Sequence, residues 1–154
     1  MAWQTFTAAQ LSAALTAQEA QALATYLLRP GESDPTPEIA SETASEIRGY
    51  VAAHYGAAVG QPGEVPEELV ATAKAIGRWY LLTKIAAGSA AKVLLTDARK
   101  MEYEAGIKRL ESVASGKFAV SVPIVVNTDQ PRPQGGGAFG KLNIGGTTPE
   151  TFNF

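Results

Sequence analysis

The stretch "YEAGIKRLESVASGKFAVSVPIVVN", from Tyr103 to Asn127, contains the change of pattern that decides the fold of this chain. Up to Gly116, apolar residues recur every three or four positions, the period of a helix with one buried face. Gly116 is a typical residue to end such a helix, because glycine adopts the left-handed backbone conformation without steric cost. Gly106 lies inside the stripe at a cost in helix stability, which predicts a close crossing with another helix. The stripe consists of Tyr103, Gly106, Ile107, Leu110, Val113 and Ala114.

After Gly116 the period changes to two, which is the period of a β-strand. Five apolar residues then point to one side of the chain: Phe118, Val120, Val122, Ile124 and Val126. Pro123 cannot donate a ladder hydrogen bond, so the sequence predicts an edge strand. Two partners are open to it, the segment "FGKLNI" further along the chain or a neighbouring subunit.

The chain before Tyr103 is predicted to be helical. Thr7 caps a short helix through Leu15, and "TAQE", residues 16–19, has the capping-box pattern for a second helix ending near Leu28. After the proline-rich break at residues 29–37, a third helix has Thr36 as its cap and ends at Gly56. Pro66 opens a fourth helix to about residue 86, whose apolar residues predict burial on more than one side. The fifth begins near residue 96 or 97, or as early as residue 90.

These patterns predict an all-α protein, a small bundle of about four to five helices followed by a C-terminal β-strand and an extended arm. We divide the chain at Gly116, into a helical domain of residues 1–116 and a strand with a glycine- and proline-rich arm at residues 117–154. At 154 residues the chain is long enough for one domain with a sizeable core.

The composition excludes several functional classes. The net charge is −2, so no global basic field attracts nucleic acid. Cysteine is absent, which removes disulfides and thiolate chemistry and suits assembly in the cytoplasm. No apolar run is long enough for a membrane span, and the N-terminus has no signal-peptide pattern.

The residues after Asn127 are rich in glycine and proline and poor in charge, so they cannot build a core of their own. Five large apolar residues are nevertheless spaced along them: Phe139, Leu142, Ile144, Phe152 and Phe154. Spaced apolar residues on a backbone of this composition are typical of an arm that folds onto a partner.

The glycines of this arm match two phosphate-binding patterns. "GGGAFGKLNIGG", residues 135–146, contains both G-x-G-x-x-G and G-x-x-x-x-G-K. Leu142 stands where the second pattern needs Ser or Thr, and no helix is predicted to follow. We therefore predict no nucleotide or other cofactor.

No candidate chemistry emerges from the remaining polar residues. His54 is the only histidine and is interpreted as a helix-end residue. Glu38, Glu42 and Glu46 repeat every four residues, as on a solvated helix face. Trp3 and Phe6 suit either a hydrophobic staple or an interface contact. With no nucleophile set and no metal-ligand pattern, the chain is predicted not to be an enzyme and to hold no metal.

Three blocks within residues 36–117 carry a family resemblance: "SEIRGYVAAHYG", "ELVATAKAIGRWYLL" and "YEAGIKRLESVASGK". They resemble the helical blocks of tailed-bacteriophage head–tail connector proteins, also called neck adaptor or head completion proteins, particularly of the Mu-like prophage type. The third block, a Tyr-x-x-Ala/Gly-Ile/Leu-x-x-Leu helix ended by glycine and lysine, is the most distinctive.

The resemblance implies a structural virion protein without catalysis. Such an adaptor forms a ring beneath the portal, commonly a dodecamer, and carries the DNA channel toward the tail. Its implied partners are the portal protein, neighbouring adaptor subunits and tail or stopper/terminator proteins, with non-specific passage of DNA through the lumen and no membrane. The implied location is the neck of the virion, after assembly in the host cytoplasm.

Two departures from the family pattern concern the long segment after Gly116 and the lengthened proline-rich break. The alternative function is a cytoplasmic helical DNA-binding or regulatory module. Such a module should show a basic recognition helix. The fourth helix offers only Lys74, Arg78 and Lys84, interrupted by predicted core residues.

Overall fold

The computed structural model describes residues 2–87 and 90–123 and confirms a small helical bundle for them. The helices are α1 (Ala8–Ala13), α2 (Ala17–Leu27), α3 (Thr36–Tyr55), α4 (Val70–Ala86) and α5 (Asp97–Ala114). Two 3₁₀ helices, Glu67–Leu69 and Ala90–Leu94, precede α4 and α5. Two three-residue strands, β1 (Trp3–Thr5) and β2 (Glu64–Pro66), complete the described elements.

Three of the predicted helix starts are confirmed by their caps. The side chains of Thr7, Thr16 and Thr96 each accept a hydrogen bond from a backbone N–H of the first turn. The prediction that Thr36 caps α3 is wrong, because the helix begins at Thr36 itself. Its hydroxyl donates to Oδ1 of Asp34 over 2.6 Å, and no side chain caps the start of α3.

The core lies where α3, α4 and α5 pack on one another. Gly106 of α5 permits the close crossing that its position predicts, since a Cβ there would lie 3.1 Å from Cγ1 of Ile76 in α4. Both sides of α4 contribute to the core, as predicted. The largest fully buried side chains are Leu11, Ile47, Leu69, Ile76, Leu81, Leu82, Ile85, Leu110, Val51, Val65, Val113 and Thr36.

The sheet formed by β1 and β2 was not predicted. The two strands are antiparallel, with Trp3 opposite Pro66 and Thr5 opposite Glu64. Phe6 follows β1 into the core, and its N–H donates to the carbonyl oxygen of Gly63 over 2.9 Å. Phe6 is therefore a core residue of its own chain.

The edge strand predicted from Phe118 is not present in residues 118–123, which form no strand. The backbone N–H groups of Val120 and Ser121 donate to side chains of the helical body instead of to a neighbouring strand. The predicted alternation is retained, because Phe118, Val120 and Val122 all pack against the core. Ile124 and Val126 lie outside the described residues.

Candidate functional site

The C-terminal segment is fastened to one end of the helical body by four hydrogen bonds. Nε1 of Trp3 donates to the carbonyl oxygen of Ser121 over 2.8 Å. The backbone N–H and the hydroxyl of Ser121 both donate to Oε1 of Glu68, over 3.1 and 2.5 Å. The N–H of Val120 donates to the hydroxyl of Tyr55 over 3.3 Å. We call Trp3, Tyr55, Glu68 and Ser121 the anchor site.

Each residue of the anchor site comes from a different part of the chain. Trp3 belongs to β1, Tyr55 is the last residue of α3, and Glu68 lies in the 3₁₀ helix before α4. The chain reaches them by turning back at Gly116, whose φ is +73°. After this turn the carbonyl oxygen of Ser112 accepts from the N–H groups of Lys117 and Phe118. The anchor site therefore fixes where the arm leaves the body.

Two apolar contacts support the anchor site. Val120 is buried, with 7% of its surface exposed. The guanidinium of Arg109 lies 5.5 Å from the centre of the Phe118 ring, a distance at which a cation is attracted to an aromatic face. The described part of the predicted strand is thus held by side chains of the helical body of the same chain.

Glu68 is the charged centre of the anchor site. Burial alone would raise the pKa of Glu68, but the hydrogen bonds from Ser121 and from the backbone N–H of Glu68 itself help to hold this pKa below the ordinary value of 4.5. Oε2 of Glu68 is buried and has no hydrogen-bond partner among residues 2–87 and 90–123. Glu68 therefore stabilises the segment best as a charged carboxylate.

His54 contacts the turn that leads into the anchor site. A Cβ at position 116 would lie 2.5 Å from Cε1 of His54. The His54 ring also meets the ring of Tyr55 edge to face, with centroids 4.7 Å apart. The interpretation of His54 as a helix-end residue agrees with this packing.

A second surface lies toward the other end of α4. A groove of about 570 Å³ runs between α2 and the 3₁₀ helix Ala90–Leu94. We call it the α2 groove, and its lining residues are Gln18, Gln21, Ala22, Thr25, Tyr26, Arg29, Ile85, Ala90, Ala91, Val93 and Leu94. A further depression of about 460 Å³ shares Gln18, Val93 and Leu94 with it.

A buried ion-pair cluster holds α2 in place beside this groove. Glu19 is only 3% exposed. Its Oε1 lies 2.8 Å from Nε of Arg99, and its Oε2 lies 3.8 Å from Nε of Arg78. Burial acts to raise the pKa of Glu19, but the hydrogen bonds from Thr16 and Arg99 and the charge of Arg78 lower it overall. The cluster joins α2 to α4 and α5.

The same contacts bear on the alternative of a DNA-binding helix. Arg78 is paired with Glu19 and Glu102, and Lys84 is paired with Glu38 at 3.1 Å. Two of the three predicted cations of α4 are therefore matched by carboxylates. The structure gives no support to a basic recognition helix on α4.

Two of the acidic residues of α3 contact polar side chains of α4. Glu38 pairs with Lys84, and Glu46 accepts a hydrogen bond from the Tyr80 hydroxyl over 2.8 Å. Burial, together with Tyr103 and Glu46, raises the pKa of Tyr80. The part of the chain that the structure describes contains no group of three or more side chains able to hold a metal ion. Within that same part, no helix is long and apolar enough to cross a membrane.

Comparison with known protein families identifies the chain. The family described as "Bacteriophage Mu, Gp36" matches residues 6–139. The chain belongs to this family. No curated protein and no solved structure gives a significant match.

The match to the bacteriophage Mu Gp36 family extends well beyond the blocks that carry the resemblance. It includes α1, α2 and the whole anchor site except Trp3, and it continues to Phe139. The segment after Gly116, interpreted from the sequence as a departure from the family pattern, is therefore matched as far as Phe139. Among the predicted arm contacts, Leu142, Ile144, Phe152 and Phe154 follow the matched residues. These four and Phe139 lie outside the described residues.

Sequence reasoning identified part of the anchor site only. It singled out Phe118, Val120 and Val122 by their alternation, and the structure brings them onto the core. It placed Trp3 before the first helix without a partner, and it missed Glu68 and Ser121. A glutamate in the first turn of a helix and a serine between two valines carry no signal of a mutual contact.

Proposed function

We propose that this bacteriophage Mu Gp36 family protein is a structural virion protein of the neck, a head–tail connector. In this function it forms a ring beneath the portal, joins the capsid to the tail and continues the DNA channel. The observation that carries the proposal is the anchor site, which fastens the start of a long arm to a helical body. An assembly protein needs such an arm to leave the body at a defined place, because a defined origin raises the effective concentration at the partner.

The length of the arm suits contacts between subunits. Thirty-one residues, 124–154, follow Pro123. At roughly 3.3 Å per residue they can span up to about 100 Å when extended. The five large apolar residues after Asn127 supply affinity, at roughly 1.5–3 kcal/mol for each side chain that is fully buried. We propose the portal protein, neighbouring subunits and tail or stopper proteins as its partners.

The small sheet supports a contact between neighbouring subunits. Among the described residues, β1 pairs with β2 and with no other strand. The outer edge of β1 can therefore accept another strand by main-chain hydrogen bonds. The alternating residues Val122, Ile124 and Val126 have the pattern of such a strand. We propose that this pairing joins adjacent subunits of the ring.

The test is to replace the gene in the phage by one that lacks residues 135–154. The shortened protein should fold with an unchanged helical circular dichroism spectrum, since no described core residue is removed. Heads and tails should accumulate separately, and electron microscopy should show few joined particles. A full-length protein with a small tag should also be labelled at the neck of intact particles.

A matched pair of full-length variants separates arm length from arm chemistry. The first variant replaces the five apolar arm residues by serine, and the second replaces Thr147, Thr148 and Thr151 by serine. The first should lose head–tail joining and the second should retain it. Joined particles at normal yield with the truncated protein, or a label at another part of the virion, would contradict the proposed function.

A further inference from the structure

We infer that the α2 groove is the docking site for the end of the arm of a neighbouring copy, with residues 150–154 as the occupant. The inference rests on the proposed function as a ring, and it names the surface through which adjacent subunits of that ring are joined.

The α2 groove is a suitable site for an extended apolar segment with one negative charge. Its floor includes Tyr26, which is 8% exposed, and Ile85. Val93, at its rim, is 78% exposed, which is unusual for a large aliphatic side chain. Arg29 is the one charged residue among those that line the groove, and its guanidinium lies 5.6 Å from the centre of the Tyr26 ring.

The sequence "ETFNF", residues 150–154, complements this lining. In an extended chain, residues two apart point to the same side. Glu150, Phe152 and Phe154 would then face the groove together, with a negative charge at one end and two aromatic rings behind it. The charge of Glu150 matches Arg29, and the rings match the apolar floor.

The dimensions agree as well. Ala22, Tyr26 and Arg29 follow one another along one side of α2 and the turn after it. The seven steps from Ala22 to Arg29 span roughly 10 Å at the helical rise. The four steps from Glu150 to Phe154 span roughly 13 Å in an extended chain. Glu150 can therefore lie at Arg29 while Phe154 lies near Ala22.

The commitment to a neighbouring copy comes from the proposed ring, in which the arm and the groove are two different surfaces of each chain. The anchor site includes Glu68, just before α4, whereas the groove includes Ile85, near the end of that helix. These positions are roughly 25 Å apart at the helical rise. A contact between two different surfaces of identical chains is heterologous, and contacts of this type form a ring when the rotation from one copy to the next closes. An arm docked in the groove of the next copy therefore links all subunits in one direction.

The absence of native cysteines makes disulfide trapping a direct test. Two batches of full-length protein are prepared, one with Val93→Cys and a tag, the other with Asn153→Cys. After mixing and mild oxidation, we expect a cross-linked tagged–untagged dimer. The control pairs Asn153→Cys with Glu104→Cys, an exposed position on α5. The same disulfide should form in joined phage particles that carry both cysteines.

A second change tests the role of the two rings. Adding Phe152→Ala and Phe154→Ala to the Asn153→Cys chain should lower the cross-link yield by about tenfold or more. Loss of one buried aromatic ring already exceeds the free energy that a tenfold change in affinity represents. Ser substitution of Thr147 and Thr148 in the same chain should leave the yield unchanged.

Three results would overturn the inference. One is a cross-link to position 104 as strong as that to position 93. Another is a disulfide that forms within single chains carrying both cysteines when they are diluted with cysteine-free protein. The third is the absence of the disulfide in joined particles. If particles still need the arm in that last case, the connector function stands and only the groove is wrong. If the cross-link is strong but the protein is absent from the neck, docking of the arm in the α2 groove is supported and the connector function is rejected.

Discussion

Nε1 of Trp3 donates a hydrogen bond to the carbonyl oxygen of Ser121, which lies 118 positions further along the chain. This bond ties the first strand of the protein to the start of the arm. Because Ser121 also donates to Glu68 through two groups, the serine is held from both sides. The anchor site thus depends on the N-terminal strand as well as on the helices.

Trp3→Phe keeps an aromatic ring and removes the donor. We expect a loss of about 1 kcal/mol in the local stability of the C-terminal segment, the usual net contribution of one hydrogen bond. Amide hydrogen exchange at Val120 and Ser121 should accelerate by about fivefold, as measured by mass spectrometry of fragments. Trp79→Phe is the control, since Trp79 stacks on Tyr103 away from this site. Unchanged exchange in Trp3→Phe would show that the hydrogen bond does not hold the segment.

Glu68→Gln should change how the anchor site responds to pH. The folded-state pKa of Glu68 lies below the ordinary value of 4.5, so its charged form stabilises the folded protein. This stabilisation is complete above the ordinary pKa and is lost as the pH falls through the lower folded-state pKa. The urea midpoint of the variant should therefore lie below that of the wild type at neutral pH, and the difference between the two midpoints should disappear as the pH falls through the folded-state pKa.

The control for this prediction is Glu67→Gln, at the neighbouring exposed position of the same 3₁₀ helix. Glu67→Gln also removes one negative charge, but it leaves the contact between Glu68 and Ser121 intact. A gap between wild type and Glu68→Gln that stays constant with pH would mean that the ionised form of Glu68 has no special role.

Leu110→Ala should destabilise the bundle. The side chain is completely buried at the centre of the α5 stripe, and large-to-small changes at such positions cost roughly 2–5 kcal/mol. Thermal denaturation should show a clearly lower melting temperature. Met101→Ala, at a 68% exposed position of the same helix, should stay within about 0.5 kcal/mol of the wild type. A melting temperature equal to the wild type would refute the placement of the stripe.

The helices were predictable because their signals are local. Thr7, Thr16 and Thr96 act on residues only three positions away, and the stripe containing Leu110 repeats at the helical period. The sheet was not predictable, since strands of three residues are too short to show a period. The strand expected after Gly116 failed over residues 118–123 for a related reason. Alternation reports which side is buried, but it does not report whether backbone groups bond to a strand or to side chains.

Gly116→Ala tests whether the turn before the anchor site depends on glycine. The φ of Gly116 is +73°, a conformation that costs an alanine roughly 1–2 kcal/mol. In addition, the new Cβ would lie 2.5 Å from Cε1 of His54, so the imidazole or the turn must move. Gly31→Ala is the matched control, because its φ is +82° and a Cβ there meets no atom within 4 Å. Gly116→Ala should therefore destabilise the protein more than Gly31→Ala does.

The double variant His54→Ala with Gly116→Ala separates the two causes. Removing the imidazole removes the collision but leaves the backbone cost, so the added effect of Gly116→Ala should fall to that of Gly31→Ala. His54→Ala alone should leave particle assembly intact, because the ring packs on the turn and performs no chemistry in the proposed function. The measurements are urea denaturation of the wild type and the four variants, and the infectivity of phage carrying His54→Ala. A loss of infectivity with normal folding would show that His54 serves a function beyond packing. An undiminished penalty in the double variant would show that backbone conformation alone makes glycine necessary at position 116.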